Sequence, residues 1–595
     1  MQTIKKVFRN CADRYLSTRP LRIAVFFILL FRWLSGLKST DSYFSAYIVC
    51  AVAGAVAFIS NTAGDRQILR GKRDHIYAGL FSALFSLSVL LSNYSLFTTS
   101  DTHPAHVFIM FIGGYILARN ILVWVLNRSA AREPYRPEAR ETGAWKVFLI
   151  AFACIAAVDL LYLFFCYYPG IISADSVAQI DQTLSGNYTN HHPFWHTMII
   201  NLCLKTGMLL FNDINSACAL YCVFQIFSMA AVFAFLVMTM YQAGIRRGWL
   251  IATVLGYMLL PYHVLFSFSM WKDILFGGAV ALFGCSLYRM IRGIGSRITN
   301  YITLSIGTIG FGLLRSNGWT ALAVTFVLSV FILGKKHRKV LLTLLGLLAM
   351  TFILKYPVLK WMNVSQPDTV EYLSIPEQQI ARVIVEDAEL TPEEQEQIEK
   401  IMPIEEVQDY YEPQISDPIK YVLRGNNPDY LSEHKMDYLK LWLKLGIRYP
   451  ELYADAWIDQ TRGYWNGGYN YYVVETSVYY NENGIEETRN EGFPADTLSS
   501  WVDSFLDDPL FEPVRSIGLH VWIVILALFV MTIERRKARV IPISLLAIIL
   551  TLLISTPVFS EFRYAYSTFA TFPFVTLIAF ADRDDNAGLT AEEAR

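Results

Sequence analysis

"YYPGIISADSVAQIDQTLSGNYTNHHPFWHT", residues 167–197, interrupts a chain made mostly of long apolar runs. It carries Asp175, Asp181, His191, His192 and His196, but neither Lys nor Arg. The side of a membrane that this segment faces decides how the rest of the chain is read.

A membrane is the first expectation from composition. The 595 residues are 54% hydrophobic and only 17% charged, against about 25% charged in soluble domains. Apolar stretches of roughly 20 residues, the length a helix needs to cross a bilayer, recur along the chain. A net charge of −1 leaves no basic face for nucleic acid. The eight Cys all lie at or before Cys285, mostly inside apolar runs, so no disulfide framework is expected. The basic N-terminus leads into an apolar run with no small-residue cleavage pattern after it, and is read as a retained first span.

Basic residues then orient the chain. Lys5, Lys6, Arg9 and Arg14 precede the first span, Arg66, Arg70, Lys72 and Arg73 fill the second loop, and Arg128, Arg132, Arg136 and Arg140 the fourth. The loops between hold almost none. By the positive-inside rule the N-terminus is cytoplasmic and residues 167–197 lie outside. "FWHTMIINLCLKTGMLLF", residues 194–211, is apolar enough to span, but a crossing there would invert every later basic loop. Placed in the interface, it leaves Arg246/Arg247, Arg289/Arg292/Arg297, Lys335–Lys339 and Arg535–Arg539 all cytoplasmic. The expected architecture is an all-α polytopic membrane protein of about 14 transmembrane helices with both termini cytoplasmic. Four parts follow: an N-terminal four-helix region (1–145), a membrane core (146–359), an extracytoplasmic module (360–513), and three C-terminal helices with a tail (514–595).

The module begins with acidic helical spacing and continues with "DYLKLWLKLGIRYPELYADAWIDQTRGYW", two amphipathic helices broken at Tyr449-Pro450. "YWNGGYNYYVVETSVYYNENG" follows, dense in Tyr, Trp, Asn and Gly. It suits either sugar stacking or an aromatic strand pair, which makes the module mixed α/β.

This topology gathers short polar clusters at one outer surface: "ADSVAQ", "NHHPFW", "SMWKDILF", "LLRSNGW" and "SEFRYAYSTF". Cations and Trp near span ends are commonly interfacial anchors. Outer loops should nevertheless be poor in Lys and Arg, yet Lys272, Arg315 and Arg563 each stand there beside an acid or amide. Fixed cations at that depth suit a phosphate-bearing lipid headgroup. Asp175 is the leading carboxylate, although Ser173 or Asp175 can equally serve as a helix cap. His191 and His192 are zinc-capable, but no Cys, His or Glu partner has ligand spacing, and the metal is left unknown. Asp159 lies inside a span, where an ionisable group is functional by default.

An acid in "ADS" on an outer loop, then "HHP" before an apolar helix, and "EFRY" ahead of the last span resemble the glycosyltransferase-C superfamily. The aminoarabinose and protein O-mannosyl transferases belong to that superfamily. Closer still, the order DSxxQ, HHP, WKD, RSNG and "LGIRYPELYADAWIDQTRGYW" resembles an uncharacterised family of bacterial multi-pass proteins, from about Lys146 to the end. The chain departs from the superfamily in having Asp-Ser where adjacent acids are frequent, and HHPF in place of HPP.

The resemblance implies a bacterial inner-membrane glycosyltransferase moving a sugar from a polyprenyl-phosphate donor to a cell-envelope glycan, lipid or protein. It implies Asp175 as general base, with Asp273 as the next catalytic carboxylate, and Lys272, Arg315 and Arg563 on the donor phosphate. Gln179, His191, His192, Asn317, Glu561 and Tyr564 fall to substrate binding. No cofactor is certain, and a divalent cation is left open. Two other classes compete. A flippase or transporter of a lipid-linked precursor calls for acids and Gly/Pro breaks at the midplane, of which Asp159 and "SIGTIGFG" offer a little. A membrane acyltransferase calls for a deep His with an acid, whereas these His sit at the surface. No Walker pattern is present for an ATP-driven pump.

Overall fold

The computed structural model describes residues 19–37, 45–63, 69, 71–92, 104–130, 142–468 and 472–580. The basic N-terminal cluster at 1–18, parts of the expected basic loops at 64–68 and 131–141, and the tail at 581–595 lie outside the described residues. Among the described residues eight helices are long and apolar enough to cross a membrane, or up to ten if two bent pairs each count as one span. Ser45–Asn61 and Gly318–Leu333 are shorter apolar helices of the same character. The chain is an all-helical membrane protein.

Hydrogen bonds between distant segments sort the helix ends onto two faces. On one, Ile171 N donates to Phe268 O (3.1 Å) and Met270 N to Ile171 O (3.0 Å), joining the end of Ala144–Phe165 to the start of Lys272–Arg292. At the other end of these helices, Arg289 donates from Nε to Asn300 (2.8 Å) and from Nη1 to Thr239 (2.8 Å) and Gln242 (2.6 Å). Arg536 likewise reaches Ser129 (2.8 Å) and Arg73 reaches Ile533 O (3.3 Å). The first face is called the site face below; the second is rich in cations.

Two features shape the core behind the site. Arg247–Leu259 and Pro261–Ser267 meet at 59° and together lead from Arg246/Arg247 to the site face, with Pro261 starting the second piece because it needs no N–H partner there. Lys272–Arg292 packs tightly against Arg297–Leu313, since a Cβ at Gly307 would lie 2.6 Å from Phe283 N.

Phe194–Phe211 has the length and apolarity of a span. It begins next to His192 and ends at Asp213, which caps Ile214–Gln242 by accepting from Ser216 N (2.7 Å). Ser216 Oγ in turn meets Tyr168 OH at 3.1 Å. Both ends of the helix therefore adjoin the same loop, 167–193, and the chain returns to the face it left. Gly207 permits the tight return, because a Cβ there would stand 2.5 Å from Ala217 Cα.

Four N-terminal helices, Arg19–Leu37, Ser45–Ala63, Lys72–Ser92 and Pro104–Ala130, form their own apolar cluster. They share it with Leu526, Val530 and Ile533 of Ile517–Ile533.

The polar module stands on the site face. Its helices bury Ile380, Ile384, Ile398, Ile419, Leu441 and Leu445 in a small core. Lys435–Arg448 and Pro450–Thr461 are separated at Tyr449, as the Tyr-Pro step requires. Thr391 and Glu394 close a capping box, and Arg448 holds Glu394 with two bonds of 2.8 and 2.9 Å. Gln460 and Trp457 fasten the module to the membrane part by donating to Thr556 O and Leu553 O, each at 2.8 Å.

The expected mixed α/β character of this module is not seen among the described residues, which hold helices and isolated bridges only. Residues 472–488 are irregular and largely extended, and their backbone pairs at single points with the 167–172 loop. Tyr479 N donates to Ile172 O (2.7 Å) and Thr488 N to Tyr168 O (2.8 Å). Tyr472 and Tyr479 line the cavity below, whereas Tyr464 and Trp465 are buried against Thr556 and Trp457, and no ladder develops among the described residues.

Candidate functional site

The segment around Ile171 and Ile172 runs flat against residues 268–271. Gly170 makes this approach feasible: its φ is 132°, and a Cβ would collide with Cys222 Sγ. Ser176, in the first turn of Ala174–Ser185, donates to Met270 O (3.0 Å), which sets that helix beside the start of Lys272–Arg292. Trp271 Nε1 donates to Ser173 Oγ. The "ADS" and "WKD" segments are thus locked together through backbone and buried side chains.

Asp175 is the meeting point. Lys272 Nζ and Arg563 Nη1 both donate to its Oδ2, each at 2.7 Å. Lys272 Nζ also donates to His192 Nδ1 at 3.2 Å. An ammonium can only donate, so Nδ1 is the acceptor and the ring proton sits on Nε2. Burial and then Lys272 push His192 down to about 3, so it is neutral at physiological pH. Burial alone would raise the Asp175 carboxyl, but Lys272 and Arg563, with His192, outweigh it and hold it well below the usual carboxylate range.

Arg563 comes from the turn Phe562–Ala565 that opens the last helix. Its Nε donates to Glu561 (3.1 Å), and its guanidinium lies 4.8 Å above the Trp271 ring and 5.3 Å from Tyr564. Burial pushes the Glu561 carboxyl above its ordinary value, against the pull of Arg563. A cavity of about 230 Å³ opens between these groups and the aromatic stretch. Asp175, Glu561, Arg563 and Trp271 line one side; Tyr472, Glu475, Ser477 and Tyr479 line the other.

The other expected site residues divide between support and distance. Arg315 and Asp273 do not line the cavity but pair with each other, Nε to Oδ1 at 3.0 Å, both buried. Arg315 also donates to Tyr564 O (2.9 Å) and stacks on its ring at 4.3 Å, so it holds the turn that presents Arg563. Lys272 reaches Asp175 from outside the cavity lining. Gln179 is buried beneath Ala174–Ser185, bonded to Thr197 (2.8 Å) and His196 (3.1 Å). Beyond them His196 meets Tyr221 at 2.7 Å, and Gln225 secures the carbonyls of Phe266, Ser267 and Ser269. His196 is therefore not at the surface as its sequence position suggested. His191 turns to Glu371 of the module (3.9 Å), away from Asp175. Asn317 donates to Thr551 (2.6 Å) and joins two helices.

Sequence reasoning did not assign Trp271, Tyr472, Glu475, Ser477 or Tyr479. The signal was present in the aromatic density of the 464–480 stretch, but nothing local indicates that it folds back onto residues 172–175.

Among the described residues no group of three or more His, Cys, Asp or Glu is arranged to hold a metal ion. Asp175 Oδ2 already receives two cationic donors, and His192 faces the Lys272 ammonium. These side chains do not fit a divalent cation beside Asp175.

The site is a cavity at one face of the helices, lined by the cation Arg563, by the carboxylates Asp175, Glu475 and Glu561 and by aromatic and hydroxyl side chains, with Lys272 behind Asp175. Residues 181–593 match the profile of a family of unknown function, DUF6020, and the chain belongs to that family. No curated protein and no solved structure matches the chain.

Proposed function

We propose, from the site alone since membership of DUF6020 carries no activity with it, that the protein is a membrane glycosyltransferase. It transfers a sugar from a polyprenyl-phosphate donor to a cell-envelope acceptor, in the manner of the glycosyltransferase-C superfamily. The observation that carries the reading is the convergence of Lys272 and Arg563 on one anionic oxygen beside a cavity that also presents Glu561. Two fixed cations at a membrane face match a lipid phosphate, with its prenyl chain in the bilayer and its sugar in the cavity.

In the reaction the bond between the sugar's anomeric carbon and the phosphate oxygen breaks, and both electrons leave with the polyprenyl phosphate. Arg563 and Lys272 stabilise that developing charge. The acceptor hydroxyl oxygen forms the new bond, and its proton passes to a carboxylate of the cavity, Asp175 or Glu561. Tyr472 and Tyr479 offer faces on which a sugar ring can stack.

The reading includes about 14 crossings, the site face outward, both termini cytoplasmic, and a bacterial inner membrane. It is supported by the collection of Arg73, Arg289 and Arg536 at the face opposite the site. The interfacial position of Phe194–Phe211 is supported by its return to the loop it left.

One observation favours a transporter instead. Asp159 is buried in a membrane helix beside Ser267, and its Oδ1 has no hydrogen-bond partner among the described residues. A single experiment separates the two. Purified protein in lipid nanodiscs is given a polyprenyl-phosphate-linked radiolabelled sugar and envelope acceptors. Transfer of label with release of polyprenyl phosphate is expected. Arg563→Ala should weaken donor binding by roughly one to two decades, the loss of a charge-assisted bond of about 1.5–3 kcal/mol. Movement of intact donor across the bilayer without release would replace the enzyme by the transporter.

A further inference from the structure

Asp175 stands where a phosphate oxygen would be bound. Its Oδ2 takes both Lys272 Nζ and Arg563 Nη1 at 2.7 Å, the spacing of strong charge-assisted bonds. Asp175 and Arg563 line the cavity, but Lys272 does not; among the described residues its one carboxylate partner is Asp175. The carboxylate thus stands between the cavity and the second cation. The two cations already share one carboxylate oxygen, and an incoming phosphodiester, a monoanion with two non-bridging oxygens, must compete with Asp175 for their donors.

We infer that Asp175 is a resident counter-ion that a donor phosphate displaces from Lys272 and Arg563, so that the carboxylate becomes a competent base only after the donor has bound. The inference rests on the reading of Lys272 and Arg563 as the phosphate site and adds an order of events to it. A carboxylate that holds two cations is a poor proton acceptor. Once the phosphate takes over those donors, Asp175 is freed at the wall of the same cavity, beside the sugar. Donor binding then precedes activation of the acceptor hydroxyl by Asp175, and while it holds both cations Asp175 does not activate water. Phosphate binding then carries a built-in affinity penalty, because each donor bond it gains is one that Asp175 gives up.

The penalty can be measured without turnover. Full-length protein in detergent micelles is titrated with a polyprenyl phosphate and, separately, with inorganic phosphate. Asp175→Asn, which removes the competing charge, is expected to bind the lipid phosphate about tenfold tighter than wild type or better. Asp175→Ser, which also opens the path to Lys272, should move the same way and covers the case in which the Asn variant does not fold. Asp175→Glu keeps the charge and should stay near wild type. A parallel gain for inorganic phosphate would assign the effect to the anion itself; a gain for the lipid alone would assign it to the headgroup held at the membrane face, and either outcome supports the displacement. Equal or weaker binding by Asp175→Asn and Asp175→Ser, with wild type binding normally, would overturn the displacement and leave the phosphate site standing. No binding to any of these proteins would overturn both.

Discussion

Arg315→Met removes one partner of an ion pair whose side chains are only 8% and 0% exposed. Asp273 is left as a buried carboxylate without its cation, a change that typically costs about 3–5 kcal/mol. The variant also loses the bond to Tyr564 O and the stacking on Tyr564, but Arg563 keeps its own bonds to Asp175 and Glu561. Asp273→Asn in the same background removes the stranded charge. It should recover about 2–3 kcal/mol and leave a deficit of about 1–2 kcal/mol, whereas Asp273→Asn alone, which strands buried Arg315, should destabilise. The assay has two readouts on purified protein in mixed micelles, denaturant unfolding and affinity for a polyprenyl phosphate. Because Arg315 braces the Arg563 turn from outside the cavity lining, the double variant should bind the lipid phosphate within about threefold of wild type. Restored stability with binding still down by one to two decades would refute the argument and put Arg315 on the phosphate. A single variant as stable as wild type would refute the energetics.

Cysteines introduced at Ser185 and Glu396, both exposed on the site face, should react with an impermeant reagent added outside intact cells, and one at Lys336 should not. The reverse labelling would invert the orientation. Glu377 in the module is buried, and neither of its carboxyl oxygens has a hydrogen-bond partner among the described residues. Burial pushes its carboxyl well above the ordinary 4.5, so the native protein holds this proton more tightly than the unfolded chain. Its stabilising contribution is therefore full below pH 4.5 and lost as pH rises through the raised value. Glu377→Gln, which mimics the protonated form, should stabilise the full-length protein by about 1–3 kcal/mol at mildly alkaline pH and much less at acidic pH. A thermal unfolding series across that range would show the difference; a pH-independent effect would locate the change elsewhere.

The membrane character, the alternation of basic loops and the break at Tyr449-Pro450 were legible in the sequence because each depends on local chemistry. Apolar length, Lys and Arg position, and the missing N–H of proline act where they stand in the chain. Asp175, Lys272 and Arg563 were legible as charges at span ends, where charge is out of place. The sequence also placed the aromatic stretch on the same face as those charges.

Only the tertiary structure decided what each charge meets. Arg315 and Arg563 look alike as cations near helix ends, yet one closes on buried Asp273 and the other on Asp175 at the cavity wall. His192 and His191 are neighbours, yet one faces Lys272 and the other the module. A one-residue step along an extended segment points the side chain the opposite way, and composition carries no record of that choice. The same holds for residues 472–479: an aromatic strand pair was one of two expectations, but the backbone at Val478 and Tyr479 pairs with Ile172, more than 300 residues earlier. Local preference was overruled there by the contact that closed the cavity over Asp175.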